Sequence, residues 1–532
     1  QEDYESQVRL AVEGAMHDDK VQLPTYMTNT QEGAKPPLRH QQIGYHWALR
    51  SSGLLLAWDP GTGKTRGATD AAGGWYRHNY ITPMANYLPN GQPLWFSETR
   101  EDTGRVNKKG EPIFKRTPGH WGVKGGILVV CPVSVIRTWS IELALWQNMT
   151  SVEIRGSSRD IKFRKAGMIA HAHIINYESL DVVKDNQYDA IIVDESHRCA
   201  NKSQQTQRIL QLSLHTQRRL LLSGTVVSND LKSVFWQMFI VDGGRSLGVS
   251  RQAFLDEYFS KDRTSNGVQV YEEKEGAAEK VAARMARATF FLKKEEALDL
   301  PPKTHTPLYL EMTADQERYY RQVRDDSIAY IQDSTVTIEL AVQRIMKLLQ
   351  ICQGIARDDE GKWRRFNSVK HDAIISDLKE EYAGRKVVIW CTFTEEINML
   401  LDRLTKEGMR ALRFDGEVSK SMRNHTIDLW NNDPSYTVVV GNMAVGEGIE
   451  LVAPNCAIPC FDCFYAGLSY KYVHWKQSQD RIHRIIQKFA CNYRYYLTPG
   501  GLDQRVYNAL LAKEGLAQTV HKTGKEYFLS LL

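Results

Sequence analysis

Short apolar runs alternate with amphipathic stretches along most of the chain, the pattern of parallel β-sheets covered by helices. Runs at Leu54–Trp58, Ile127–Cys131, Ala190–Val193, Leu220–Ser223, Lys386–Trp390 and Thr437–Val440 are nearly continuously apolar and read as strands buried on both faces. They fall into an early group and a late group. Between the groups, over roughly 250–365, the chain becomes charged and reads as helical, as in VYEEKEGAAEKVAARMARATFFLKKEEALDL and TIELAVQRIMKLLQI. Leu300-Pro301-Pro302 interrupts this stretch, because proline cannot continue a helix, and the junction between two lobes is placed there.

Composition changes this picture little. The chain has 532 residues, too many for a single core, and its 42% hydrophobic and 25% charged residues are ordinary for a soluble globular protein. A net charge of +5 permits a nucleic-acid partner without arguing for one, since gripping a phosphate backbone needs only a local basic track. No apolar run reaches the length of about eighteen residues that a membrane helix requires. The start QEDYESQVRL lacks a signal-peptide layout, so the expected setting is a reducing cytoplasm or nucleus. Among the eight cysteines only Cys456, Cys460 and Cys463 cluster, and His474, His483 and Cys491 lie at spacings that do not suit a fourth zinc ligand. Buried free thiols and no structural metal are expected.

Residues 1–35 are polar and read as an extension. Residues 75–125 hold no clear periodicity and carry eight basic side chains (Arg77, Arg100, Arg105, Lys108, Lys109, Lys115, Arg116, Lys124) against four acids (Glu98, Glu101, Asp102, Glu111). A stretch of that kind is either a solvated surface insertion or a contact with nucleic acid.

Three motifs carry chemistry. The strand LLLAW runs into Asp59-Pro60-Gly61-Thr62-Gly63-Lys64-Thr65 and then the helix-compatible RGATDAA. This is the context of a phosphate-binding loop, in which backbone N–H groups of Gly61, Thr62 and Gly63 cradle phosphates, Lys64 neutralises the β and γ oxygens, and the Thr65 hydroxyl holds magnesium. Trp58 stands where the usual first glycine would be. The second motif, Ala190-Ile191-Ile192-Val193 ending in Asp194-Glu195-Ser196-His197, puts paired acids at the carboxyl end of a buried strand. Asp194 would hold the metal and Glu195 would polarise the attacking water. The third is Gln477-Ser478-Gln479-Asp480-Arg481-Ile482-His483-Arg484, where the spacing of Arg481 and Arg484 places both on one helix face. Two guanidinium groups there could stabilise charge on a γ-phosphate.

With these residues placed, the chain resembles the Swi/Snf-like branch of the superfamily-two helicases, from Leu38 to about Val520. Leu38-Arg39-His40-Gln41-Gln42 looks like the family's adenine-reading Q motif, with Gln42 in the glutamine's place. Val129 to Ser134 with Trp139 resembles motif Ia, Ile175-Asn176-Tyr177-Glu178 motif Ib, and Asp194 to His197 the DEAH-type box, which adds His197 to the nucleotide site. Ser223-Gly224-Thr225 resembles motif III. Phe414-Asp415-Gly416 with Arg423 resembles the segment after motif IV, Asn442 with Gly446-Glu447-Gly448 resembles motif V, and Gln477 to Arg484 resembles motif VI. Stretches at 254–259, 290–294 and 300–303 resemble the branch's helical protrusion and its exit, and Tyr495, Leu497, Asp503 and 506–510 its closing segment. Val226, Ser228, Glu450 and Ile486 depart from the family pattern.

The resemblance implies an α/β fold of two RecA-like parallel-sheet lobes with helical protrusions. The expected division is an extension at 1–35, a first lobe at 36–245 with the 75–125 insertion, a protrusion at 246–300, a junction and second protrusion at 301–365, a second lobe at 366–515 and a tail at 516–532. It implies ATP and Mg2+ as cofactors, with Lys64, Asp194, Glu195, Gln477, Arg481 and Arg484 catalytic, and Gln42, Gly61, Thr62, Gly63, Lys64, Thr65, His197 and Gly448 contacting nucleotide. Ser134, Asn176, Arg423 and Asn442 would touch double-stranded DNA, forked or branched forms included. The expected activity is a DNA-stimulated ATPase that translocates on duplex DNA, of a minimal bacterial or phage type acting in the cytoplasm, or in the nucleus if eukaryotic. A strand-separating DNA or RNA helicase and an ATP-gated recognition subunit are the competing expectations.

Overall fold

The computed structural model describes residues 36–530, apart from 89, 91, 107–111, 264–268, 334–337, 359 and 446–448. The described chain forms two compact units. The first comprises the chain up to Asp262 with Val270–Ala297 and the segment from Leu516; the body of the second is Leu298–Gly515.

The first unit is built on a seven-stranded, wholly parallel sheet. Its order across the sheet is Thr289–Leu292, Gly53–Trp58, Arg218–Leu222, Ala190–Asp194, Ile127–Cys131, Ala172–Asn176 and Ser151–Glu153. The continuous apolar runs follow from double-sided burial. Leu54, Leu56 and Trp58 pack into a core with Trp47, Trp75 and Trp139, while Leu55 and Ala57 enter the opposite core with Val193 and Leu221. A strand covered by helices on both faces cannot afford a polar alternate.

The second unit holds a six-stranded parallel sheet in the order Lys303–Tyr309, Cys491–Leu497, Cys460–Tyr465, Lys386–Cys391, Val438–Asn442 and Ala411–Phe414. Val387, Ile389 and Cys391 share one face with Ile397, Leu400 and Val440. Two long helices, Ala314–Asp333 and Ile338–Cys352, precede its inner strands. All eight cysteines are buried free thiols. Among the described residues no helix is long and apolar enough to cross a membrane.

Three expectations need correction. Phe290-Phe291-Leu292, assigned to a helical protrusion, lies in an edge strand beside Gly53–Trp58, with Phe290 and Leu292 in one core and Phe291 in the other. Its apolar residues alternate between two cores, which strand geometry accommodates and a single helix face does not. Lys303–Tyr309, within the stretch read as helical, pairs with Cys491–Leu497; Pro307 is tolerated because the strand lies at the sheet edge. The 75–125 insertion, read as lacking periodicity, contains an antiparallel hairpin, Thr99–Val106 with Pro112–Thr117, and a second pair, Trp95–Phe96 with His120–Trp121. The hairpin's mixed charged sequence gave no alternation to read. Lys108 and Lys109 fall outside the described residues, whereas Arg116 and Arg100 both pair with Glu98, at 2.8 and 3.4 Å.

Candidate nucleotide site and nucleic-acid contacts

Strand Gly53–Trp58 ends at the glycine loop, and helix Lys64–Arg77 begins immediately after it. The loop turns sharply because Gly61 and Gly63 both adopt left-handed backbone angles, φ +85° and +82°. A Cβ on Gly63 would also fall 2.3 Å from Gln41 Nε2. The loop is braced from behind: His40 Nε2 lies 2.8 Å from the Thr62 carbonyl, and Gln41 Nε2 donates to the Gly63 carbonyl at 3.2 Å. Thr62 Oγ1 donates to the Asp59 carbonyl at 2.8 Å. Lys64 Nζ donates to the Trp58 carbonyl at 2.8 Å, so its ammonium is held at the mouth of the loop. Thr65 follows in the first helical turn.

Trp58 fills space that larger neighbours would contest. Its ring lies 2.9 Å from where a Cβ on Gly44 would stand and 3.2 Å from one on Gly67, so two helices meet it with glycine. A Cβ on Gly224 would fall 2.6 Å from Pro60 Cδ, which packs the Ser223-Gly224-Thr225 segment directly against the loop.

Ala190–Asp194 is separated from Gly53–Trp58 by one strand, Arg218–Leu222. Asp194 accepts hydrogen bonds from Trp139 Nε1 and from the Glu195 N–H, both at 2.9 Å. The Tyr177 hydroxyl donates to the Asp194 carbonyl at 2.5 Å and to that of Glu195 at 3.3 Å. Burial, and then the neighbouring Glu195, push the Asp194 carboxyl up to about 6. Burial pushes Glu195 the same way, but His197, with Nδ1 at 3.2 Å, and the charges of Lys64 and Arg198 outweigh it and hold the group ionised. Glu195 also sits at φ +53°, a strained conformation for a side-chain-bearing residue and of the kind that collects at functional sites. His197 Nδ1 lies 3.5 Å from both Ser223 Oγ and Thr225 Oγ1, so the acid pair is linked to the segment that packs on the loop.

A desolvated carboxylate and a threonine hydroxyl are hard oxygen donors, which suit Mg2+ better than a soft transition metal. Asp194 and Thr65 are the residues that would hold it.

In the second unit, helix Tyr472–Gln479 stops before the arginines. Arg481 and Arg484 therefore do not share a helix face, as their spacing suggested, but lie in the turn that follows. The Gln479 carbonyl accepts the Tyr493 hydroxyl at 2.9 Å together with the N–H groups of Ile482 and His483 at 3.4 and 3.3 Å. The two side chains still converge, since Arg481 Nη1 and Arg484 Nη2 donate to the Ile449 carbonyl at 3.4 and 3.0 Å. Gln477 is buried on the preceding helix. Gly446, Glu447 and Gly448 lie outside the described residues.

Among the nucleic-acid candidates, Ser134 is exposed in a short turn, Val133–Val135. Arg423 is half-buried on helix Lys420–Asn432, with Nη2 3.5 Å from the Gly416 carbonyl. Asn176 and Asn442 close the ends of their strands. Asn176 Nδ2 donates to Glu178 at 2.6 Å; Asn442 Nδ2 donates to the Thr392 carbonyl at 2.8 Å, and its Oδ1 accepts the Ala444 N–H at 2.9 Å. Gln42 donates to the Pro37 carbonyl at 3.2 Å. The braces His40, Gln41, Trp139 and Tyr177 went unassigned as contacts to the site; all four lie within motifs already recognisable, but only the fold shows which atoms they hold.

The family model of the SNF2-related domain matches residues 25–360, and that of the helicase conserved C-terminal domain matches 370–486. The chain is 24% identical over 506 residues to the DNA repair and recombination protein RDH54 of Saccharomyces cerevisiae (strain AWRI1631), covering 88% of this chain and 51% of that protein. It is 24% identical over 467 residues to the DNA repair and recombination protein RAD54B of Gallus gallus, covering 77% and 48%. The chain thus spans about half the length of the curated relatives it matches. A solved Sulfolobus solfataricus SWI2/SNF2 ATPase core in complex with dsDNA aligns at TM-score 0.38 and 20% identity, covering 91% of this chain and 92% of that one.

Proposed function

The chain belongs to the SNF2-related family, and from that membership we propose that it is an ATP-hydrolysing, DNA-stimulated motor that tracks along double-stranded DNA. Its work would be remodelling DNA structures or protein–DNA complexes, forked or branched DNA included, as the repair and recombination names of its relatives suggest. The observation that carries this reading is the joining of glycine loop, acid pair and Ser223-Gly224-Thr225 segment in one sheet, through the Gly224–Pro60 packing and the His197 contacts.

ATP with Mg2+ supplies the phosphoryl-transfer chemistry. Gly61, Thr62 and Gly63 present backbone N–H groups to the phosphates, and Lys64 exchanges the Trp58 carbonyl for phosphate oxygens. Thr65 and Asp194 would hold the metal, and Glu195, kept ionised by His197, would orient the attacking water. Gln42, His197 and Gly448 complete the nucleotide contacts. Arg481, Arg484 and Gln477 are assigned the task of stabilising charge on the γ-phosphate from their motif. Ser134 and Arg423 grip the DNA backbone, and Asn176 and Asn442 hold the loops next to such contacts. Grip on phosphates gives salt-sensitive, nearly sequence-blind binding.

The test compares ATPase rates without nucleic acid, with duplex DNA, with single strands and with RNA. Duplex should stimulate most. A triplex should then lose its third strand in an ATP-dependent way while a fork stays paired. Unwinding of the fork with an intact triplex would make the chain a helicase instead.

A further inference from the structure

The glycine loop contains two peptide groups whose direction matters to any anion it holds. A trans peptide is planar, so its carbonyl and its N–H point opposite ways. The Thr62 carbonyl therefore sets the aim of the Gly63 N–H, and the Gly63 carbonyl sets that of the Lys64 N–H. Both peptides flank Gly63, at φ +82°. Glycine has no Cβ to oppose a change of backbone angle, so peptides beside it turn over readily. A nest of N–H groups holds phosphate only while its members face one side. Ordering the two peptides during binding would cost affinity, and ordering them beforehand avoids that cost.

Two successive side chains in the first turn of helix Arg39–Arg50 meet these carbonyls. His40 Nε2 lies 2.8 Å from the Thr62 oxygen, and Gln41 Nε2 donates to the Gly63 oxygen at 3.2 Å. A carbonyl only accepts, so the His40 ring carries a proton on Nε2. Burial lowers the His40 pKa, which keeps the ring neutral.

Each donor is held in its turn. The His40 ring meets Trp58 edge to face, 4.9 Å between centroids, and Trp58 is fully buried. Gln41 Oε1 accepts the Leu38 N–H at 2.8 Å, which sets the amide with its N–H end toward Gly63. His40 and Gln41 are only 7% and 6% exposed, so water competes little for either carbonyl. The next residue, Gln42, turns instead to the Pro37 carbonyl at 3.2 Å.

We infer that His40 and Gln41 are positioning residues of the nucleotide site, holding the peptides on either side of Gly63 so that the Gly63 and Lys64 N–H groups face the phosphates. They act on the polyphosphate whatever base it carries. This role rests on the loop being a nucleotide site and deepens that reading. It also gives Trp58, at the place of the usual first glycine, a task, since its indole holds the His40 ring.

The experiment displaces a fluorescent ATP analogue from the whole chain with ATP, GTP and inorganic tripolyphosphate, each with Mg2+. His40→Leu and Gln41→Leu should each weaken all three by the same factor, roughly two- to tenfold, and leave the ATP-to-GTP ratio as it was. KM for ATP should rise by that factor with kcat changed far less. His40→Gln, whose amide N–H has a similar reach, should recover most of the affinity. Gln41→Glu sets an acceptor against the Gly63 carbonyl and should lose more than Gln41→Leu. These two variants keep a polar side chain in place, so the test does not depend on the leucine variants folding. Unchanged affinities while Lys64→Ala loses nucleotide would overturn the inference and leave the nucleotide site standing. A shifted ATP-to-GTP ratio with tripolyphosphate affinity intact would overturn it too, assigning Gln41 to the base. So would a His40→Gln variant no better than His40→Leu, which assigns His40 to packing on Trp58. No binding of the analogue by the unmodified protein would remove the nucleotide-site reading itself, and the positioning role with it.

Discussion

Two interior strand ends, one in each sheet, are equipped for different tasks. Ala190–Asp194 and Val438–Asn442 are interior parallel strands, and each closes with a polar residue at the carboxyl edge, where open α/β sheets bind their ligands. At the first, the Asp194 carboxylate accepts from Trp139 Nε1 and from the Glu195 N–H, which aim an acceptor-only group. At the second, Asn442 gives an N–H to the Thr392 carbonyl and takes the Ala444 N–H on its oxygen, which ties its own loop to the end of the neighbouring strand. Position at a strand end confers opportunity. What the side chain's own surroundings leave unsatisfied decides whether chemistry follows.

The sharpest way to break this contrast is to disarm the first strand end. Glu195→Gln should keep ATP binding, measured with a fluorescent nucleotide, and lose turnover by up to about ten-thousandfold, the range for removing a positioned base. Lys64→Ala should lose nucleotide binding itself. Near-normal turnover in Glu195→Gln would mean that the strained Glu195 has a structural reason for its conformation.

Next in size are the arginines that follow the second strand end. Arg481→Ala and Arg484→Ala should each cost on the order of a thousandfold in kcat with KM for ATP changed far less, as expected of groups that act on transition-state charge. A loss confined to KM would show instead that the pair only helps to hold the nucleotide.

Much of this was legible in the sequence because burial on both faces leaves a continuous apolar run, as in Gly53–Trp58 and Ile127–Cys131, and because the glycine loop and acid pair are short and local. The edge strands Thr289–Leu292 and Lys303–Tyr309 were not, since each borrows its identity from a distant partner, Gly53–Trp58 and Cys491–Leu497. The same holds for the pair Trp95–Phe96 and His120–Trp121, whose members are far apart in sequence and are defined only by their pairing. The arginine spacing misled because the helix ends at Gln479, before either arginine.

A smaller effect should separate aim from charge at Asp194. Trp139→Phe keeps the buried ring but removes the indole N–H from the carboxylate. The loss of a hydrogen bond to a charged acceptor is worth about 1.5–3 kcal/mol. Part of it should appear as a rise of roughly tenfold in the Mg2+ concentration needed for half-maximal ATPase, with saturated turnover largely restored. An unchanged metal requirement would show that the Glu195 N–H alone aims the group.

The smallest functional effect belongs to the second strand end. Asn442→Ala removes one hydrogen bond to the Thr392 carbonyl and one from the Ala444 N–H, and leaves both partners to find others. Asn442 is partly exposed, so water can replace some of what is lost, and the expected cost is about 1–2 kcal/mol of stability, read as a lower urea midpoint at constant slope. Duplex affinity should fall little, and the dependence of affinity on salt should keep its slope, because no phosphate contact has been removed. The opposite result discriminates cleanly. If Asn442 itself met the backbone, affinity would fall equally for every sequence while the salt slope stayed put, since an uncharged amide releases no counterion; Arg423→Ala would instead weaken binding and lower the slope by about one. A large, sequence-independent loss in Asn442→Ala at unchanged stability would therefore turn the amide outward in the bound state and remove the distinction between the two strand ends.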